Sequence, residues 1–164
     1  MALELLSAKN CQQVVDFYHR QFKQINRWCN LEELLPRLRS QVSPEVIGVI
    51  DKEENVVVGA VIAYRNSFSF DQWTIPVIAV DKGTIDGQLP SVRRQGRGKK
   101  LMESVYKEIQ RHGGKSVLAD TNIDPDKGGS REFLEASGLK FLCEIPGYFD
   151  GSVDEVGLLF IRHL

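Results

Sequence analysis

The chain has 164 residues, of which 42% are hydrophobic and 26% charged. That size and balance fit one compact domain over residues 1–164 and argue against a disordered tail. The formal charge of −1 argues in addition against a strongly cationic nucleic-acid binder and a polyacidic tail. The average hides an imbalance, however: residues 91–100 hold five basic groups and no acid, leaving 16 basic against 22 acidic residues elsewhere.

Three cysteines, Cys11, Cys29 and Cys143, are odd in number and lack C-x-x-C or Cys/His ligand spacing. This speaks against a disulfide framework and a zinc site, so no metal is expected and a reducing cytoplasm is the expected compartment. Apolar runs fall well short of the roughly 18–20 residues that span a bilayer, and the N-terminus lacks a basic region followed by an apolar one. Neither export nor membrane anchoring is expected.

In chain order, Asn10 and Gln13 form a capping-box pattern, and Val14, Val15, Tyr18, Phe22 and Ile25 recur at helical spacing. A first helix is predicted over residues 10–25. Asn30 and Glu33 repeat the capping pattern before Leu31, Leu34, Leu35 and Leu38, a second helix disturbed by Pro36. Strands are predicted at 45–51 and 55–65, joined by the turn Lys52-Glu53-Glu54, and a third at 74–80 after a loop over 66–73. Residues 81–92 read as a long connection in which 88–92 offers a further short strand. Leu101, Met102, Val105, Tyr106 and Ile109 share one helical face, and Gly113-Gly114 should end that helix. A strand at 115–119, a helix at 129–137 capped by Gly138, and strands at 140–145 and 155–162 complete the order ααβββαβαββ. The fold class is α/β of the mixed (α+β) kind.

The segment with chemical content is Arg93-Arg94-Gln95-Gly96-Arg97-Gly98, which follows a strand region and opens the amphipathic helix. The first N–H groups of a helix have no internal partner, and the helix dipole adds partial positive charge there. Gly96 and Gly98 allow close backbone approach, while Arg93, Arg94, Arg97 and Lys99 add formal charge, so a pyrophosphate fits. A solvated helix start or a nucleic-acid patch fits the same charges. A dinucleotide fingerprint fails because its third glycine position is Leu101, and a Walker loop fails because Gly98-Lys99-Lys100 lacks the hydroxyl and the upstream glycine spacing.

These residues resemble the signature [R/Q]-x-x-G-x-[G/A] of the GNAT superfamily of acyl-CoA-dependent N-acetyltransferases, and the order of elements over 45–164 is similar as well. The resemblance implies a mostly antiparallel central sheet flanked by helices. It further implies acetyl-CoA as cosubstrate, with backbone N–H groups from Arg94 to Lys99 on the pyrophosphate and Arg93, Arg97 and Lys99 supporting it or the ribose phosphate. The strand 76–80 would splay from the strand 116–122, and pantetheine would bond to main chain near Ile78 and Val80. A backbone N–H in that strand would polarise the acyl carbonyl. The tyrosine that many members carry on the last helix as acid for the leaving thiolate is replaced here by Leu134.

Tyr148, in the segment 145–151 between the last two strands, is the first candidate for that acid. Asp81, Asp120, Glu144 and Asp150 are possible bases without distinctive spacing, and no spacing supports covalent catalysis. Phe68, Phe70, Trp73 and Phe149 are candidates for an acceptor pocket, which the acidic remainder would fill with a cationic amine. The expected function is direct acetyl transfer from acetyl-CoA to a primary amine on a small molecule or peptide, by a monomer or homodimer, without nucleic acid or membrane. Two alternatives stay open: a non-catalytic acyl-CoA-binding module of the same fold, and a nucleic-acid module using Arg93–Lys100.

Overall fold

The structure, a computed structural model, describes residues 2–22, 45–81, 96–124, 130–148 and 155–164. Strands β1 (Ala2–Leu5), β2 (Val46–Glu53), β3 (Val56–Asn66), β4 (Ser69–Val80), β5 (Ser116–Asn122), β6 (Lys140–Pro146) and β7 (Val156–His163) form one sheet in the order β1-β2-β3-β4-β5-β7-β6. All neighbouring strands run antiparallel except β4 and β5, which are parallel. Helices α1 (Cys11–Gln21), α2 (Arg97–Arg111) and α3 (Arg131–Ala136) flank it. This is the expected mixed α/β class with a mostly antiparallel sheet.

Both faces of the sheet centre are covered, which explains why β3 reads as an unbroken apolar run instead of an alternating one. Val14, Phe17 and Tyr18 of α1 pack with Ile50, Ile62, Val77 and Ala79 on one face. Leu101, Met102, Val105 and Ile109 of α2 pack with Val61, Ile75, Val117 and Phe160 on the other. The β2–β3 turn uses Glu54 and Asn55 at φ 49° and 67°, the left-handed pair that a two-residue hairpin requires. At the end of α2, Gly113 takes φ 77°, and Gly114 N–H donates to Ile109 O at 2.9 Å. These bonds satisfy carbonyls that the helix leaves unpaired.

Three differences from the sequence reading have physical causes. β1 was not expected, because four exposed residues give no burial pattern; its backbone pairing with Val49–Lys52 holds it in place. The segment 66–73 is a strand hairpin and not a loop: the turn is confined to Ser67 and Phe68, and β4 starts at Ser69. Trp73 therefore lies wholly buried under α2, with the Arg65 guanidinium 5.1 Å above its ring, and cannot wall an acceptor pocket. The predicted helix over Leu31–Leu38 and the short strand at 88–92 fall outside the described residues.

The feature that shapes the site is a bulge in β4. Tyr64 pairs with Thr74 and Ile62 with Val77, so Ile75 and Pro76 together oppose Ala63. A bulge re-aims the side chains that follow it. Trp73 and Ile75 face α2 before it; after it Ile78 and Val80 take that side while Val77 and Ala79 turn to α1. Parallel pairing with β5 ends at the same point, the last rung being Ile75 with Ala119. Beyond it β4 runs on to Val80 and β5 to Asn122 without a shared rung, which leaves a gap in the ladder between them.

Gly114 joins α2 to β5 at the base of this arrangement, and a Cβ there would lie 2.7 Å from Trp73 Cδ1 and run into Ile109. Gly114→Ala should lower stability by about 1–3 kcal/mol through overpacking, read as a lower urea midpoint by far-UV circular dichroism. An unchanged midpoint would contradict the packing described.

Candidate active site

The gap between β4 and β5 is lined by backbone whose phase one hydrogen bond establishes. Asp81 N–H donates to Val58 O at 2.8 Å, and the register runs on through Ala60 with Ala79 and Ile62 with Val77. Because successive residues direct their main-chain groups to opposite sides, Val77 and Ala79 face β3 while Ile78 and Val80 face the gap. A chain with amide groups laid along this edge would meet donors and acceptors at strand spacing.

At the open end of the gap stands the start of α2. Gly96, at φ 73°, precedes the helix, and a Cβ on it would meet nothing within 4 Å. Lys100 N–H is the first to bond back, to Gly96 O at 3.1 Å. The N–H groups of Arg97, Gly98 and Lys99 therefore have no acceptor within the helix. Gly98 is hemmed in on its other side: a Cβ would lie 2.9 Å from Phe133 Cε2 and 3.7 Å from Val80 Cγ2. That contact ties the helix start to the end of β4 and to α3. Lys99 and Lys100 are exposed beside it. Arg93, Arg94 and Gln95 lie outside the described residues.

Arg97 behaves differently from the other basic residues. Only 8% exposed, its guanidinium turns inward and bridges Asp51 Oδ2 at 2.9 Å and Glu53 Oε2 at 3.0 Å. Asp51 is wholly buried in β2, and among the described residues its Oδ1 has no hydrogen-bond partner. Two carboxylates thus claim the charge that the sequence suggested would face a phosphate. What Arg97 presents to the helix start is its backbone N–H.

On the face of the sheet opposite α2, two of the sequence candidates come together. Val117 and Ala119 point to α2, so Asp120, next along β5, points away from it. Its cross-strand partner is Leu159, and Asn122 pairs with Gly157. The Tyr148 ring rests on that glycine: a Cβ at Gly157 would lie 2.6 Å from Tyr148 Cδ1. Burial pushes the Asp120 carboxyl up to about 6. Burial first, and then the Asp120 charge, raise the Tyr148 hydroxyl above its usual value. Tyr148 remains 41% exposed, open to an incoming molecule.

The other sequence candidates are placed apart. Asp81 is buried at the end of β4, where it accepts a bond from Gln21 Nε2 at 3.1 Å. Glu144 is exposed on β6, and Cys143 is half-buried on the same strand. Phe68 is fully exposed at a hairpin tip, and Asp150 and Phe149 lie outside the described residues. Leu134 is buried in α3 among the α2-side core, so no hydroxyl stands there. No group of three or more His, Cys, Asp or Glu side chains among the described residues is placed to hold a metal ion. No described helix is long and apolar enough to cross a membrane.

Comparison with known proteins identifies the class that this geometry defines. Residues 11–139 match the model of the acetyltransferase (GNAT) family. The chain belongs to that family. No curated protein matches its sequence. Among solved structures, an aminoglycoside 6'-N-acetyltransferase complexed with coenzyme A superposes with a TM-score of 0.77 at 18% identity, covering 99% of this chain and 97% of that one. Aminoglycoside 6'-acetyltransferase type Ii gives 0.76 at 20% identity, with the same coverage of 99% and 97%. Ard1 from Thermoplasma volcanium gives 0.71 at 18% identity, again over 99% and 97%. These likenesses show a shared fold, one that in the first case holds coenzyme A.

Two predictions follow from the charges. Arg97→Met strands the Asp51 carboxylate in the core and should cost about 3–5 kcal/mol, whereas adding Asp51→Leu should restore most of the loss. A double-mutant cycle by urea unfolding checks this, and simple additivity would refute it. For Asp120, the folded state binds its proton more tightly than the unfolded chain, whose carboxyl titrates at its ordinary value of 3.8. Stability is therefore lost as pH rises from about 4 to about 6, and the loss persists above. Asp120→Asn should stabilise the protein by up to about 3 kcal/mol at pH 7 and by nothing below pH 4, measured as the Tm difference across pH.

Proposed function

We propose that this protein transfers an acetyl group from acetyl-CoA directly to a primary amine on a small molecule or peptide. The observation that carries the reading is the divergence of β4 from β5 after Ile75 and Ala119, with the glycine-led start of α2 at its open end beside Val80. Pyrophosphate would be held by the N–H groups of Gly96 to Lys99, with Lys99 supplying charge and Arg93, Arg94 and Gln95 completing the loop. The Arg97 guanidinium serves the fold, and only its N–H serves the ligand. Pantetheine amides would lie along Ile78 and Val80, and an N–H of that strand would stabilise charge developing on the acyl oxygen. Tyr148 would protonate the leaving sulfur in place of the hydroxyl that Leu134 lacks.

The inward turn of Arg97 reduces the outward charge of the 93–100 cluster, which weakens the nucleic-acid alternative. Free Cys11 and Cys143 suit a reducing cytoplasm, where the chain would act as one domain, monomeric or homodimeric, without a metal, membrane or nucleic acid. The aminoglycoside acetyltransferases among the structural neighbours make a polyamine-bearing sugar one acceptor to test, beside peptide N-termini, lysine and linear polyamines.

Coenzyme A at a hundred times its dissociation constant should stabilise the protein by about 2.7 kcal/mol, read as a rise in Tm, and Gly98→Val should abolish the rise. Turnover over the amine panel, with Tyr148→Phe lowering kcat by about 10²-fold or more, then separates enzyme from sensor. Binding without turnover of any amine would establish the non-catalytic module, and the absence of any coenzyme A effect would end the acyl-CoA reading.

A further inference from the structure

The wall of the gap contains a charged group that the proposed chemistry has not yet used. Asp120 is the first residue of β5 beyond the last rung shared with β4, so it stands at the apex where the strands part. It lies on the face opposite α2, the side from which an acceptor would approach a thioester threaded from the α2 side. Among the described residues nothing hydrogen-bonds to its carboxyl and no cation pairs with it; burial alone accounts for its raised proton affinity. A partly buried carboxyl whose proton affinity burial raises, standing where two strands part, has the character of a functional group.

The groups around it define its surroundings. The β6–β7 connection brings Tyr148, whose proton affinity the Asp120 charge raises. β7 contributes Leu159 directly opposite and Gly157 beneath the tyrosine ring. Cys143 of β6 lies in the same cross-sheet row beyond Leu159. From β4 the next residue past the last rung is Pro76, which has no N–H to offer. On the same face, Thr74 pairs with Leu118 and Asn122 follows two residues after Asp120, so the described groups beside the carboxyl are hydroxyl, thiol and amide groups without a cation.

We propose that Asp120 is the general base, pairing with the ammonium group of a cationic acceptor, taking its proton, and working in concert with the Tyr148 hydroxyl. The assignment rests on the acetyltransferase reading above and deepens it. The balance is complete. Asp120 removes one proton from R–NH3+ and passes it to solvent. The neutral nitrogen forms the C–N bond to the acetyl carbon, and as the C–S bond breaks, Tyr148 gives its proton to sulfur. The second amine proton returns to Tyr148, so that the products are the N-acetyl amide, the free thiol and one proton. Asp120 thereby selects acceptors that arrive charged, and no oxidant, metal or covalent enzyme intermediate is needed.

The test uses the full-length protein and an amine that it acetylates. In wild type, kcat/KM for the amine should fall on the acid side with an apparent pKa near 6, the range to which burial moves the Asp120 carboxyl. Asp120→Asn should lose that limb and about 10²-fold or more in kcat/KM, while its dissociation constant for coenzyme A stays within about twofold. A second readout does not depend on turnover: in the coenzyme A complex, calorimetry should show at least tenfold weaker binding of the amine to Asp120→Asn. The carboxyl 13C signal of Asp120 in wild type should also titrate at lower pH once the amine is added. An Asp120→Asn protein that keeps the rate, the acid limb and the amine affinity overturns the assignment and leaves the acetyltransferase reading intact. A wild-type protein that binds coenzyme A but acetylates no amine overturns both.

Discussion

The architecture turns on one irregularity, the bulge at Ile75 and Pro76. Up to that point β4 belongs to a continuous sheet, bonded to β3 on one side and to β5 on the other. Proline cannot donate to a ladder and sits in sheets at edges and bulges. Here it coincides with the end of the β4–β5 pairing. From the same two residues follow the face switch of β4, the outward turn of the Ile78 and Val80 main chain, and a gap that opens toward the start of α2. A regular strand would have continued the pairing with β5 and used up the main-chain groups of Ile78 and Val80.

Around the gap, charge is sorted by face. On the α2 side, glycines and helix N–H groups make a surface suited to anions, with Lys99 and Lys100 exposed beside it. The opposite side carries Asp120, with no described cation to neutralise it. In the proposed reaction the sheet would be the partition between an anionic cosubstrate and a cationic acceptor, and the gap would be where the two meet. Arg97 belongs to neither side. Its bridge to Asp51 and Glu53 ties the first turn of α2 to β2, so the helix start is held by the core rather than by the ligand it awaits.

Much of this was legible from the amino-acid order. Periodicity placed α1 and α2, valine-rich runs placed β2 and β3, and glycines marked the ends of α2 (Gly113-Gly114) and α3 (Gly138). The hexapeptide from Arg93 to Gly98 marked the glycine-led start of α2, because the requirement for small residues and free N–H groups at a helix start is local. What escaped was non-local. β1 has no burial pattern to betray it, since backbone pairing with β2 alone holds it. Segment 66–73 looked like a loop because polar Ser69, Asp71 and Gln72 interrupt it, yet Trp73 needs a strand there to reach the core. Asp120 could not be told from other acids by spacing, as its burial is set by neighbours on β7 and the β6–β7 connection.

The sequence by itself therefore determined the class of fold, the glycine-led basic helix start and the absence of a hydroxyl at Leu134, all of which depend on residue type within a few positions along the chain. Only the tertiary structure decided which charges face a ligand. It turned the Arg97 guanidinium into the core because two β2 carboxylates lie across from it. It also left Asp120 at the apex of the gap with Tyr148 as its neighbour. Burial and ion pairing are properties of what the folded chain brings together, and no local pattern of residues records them.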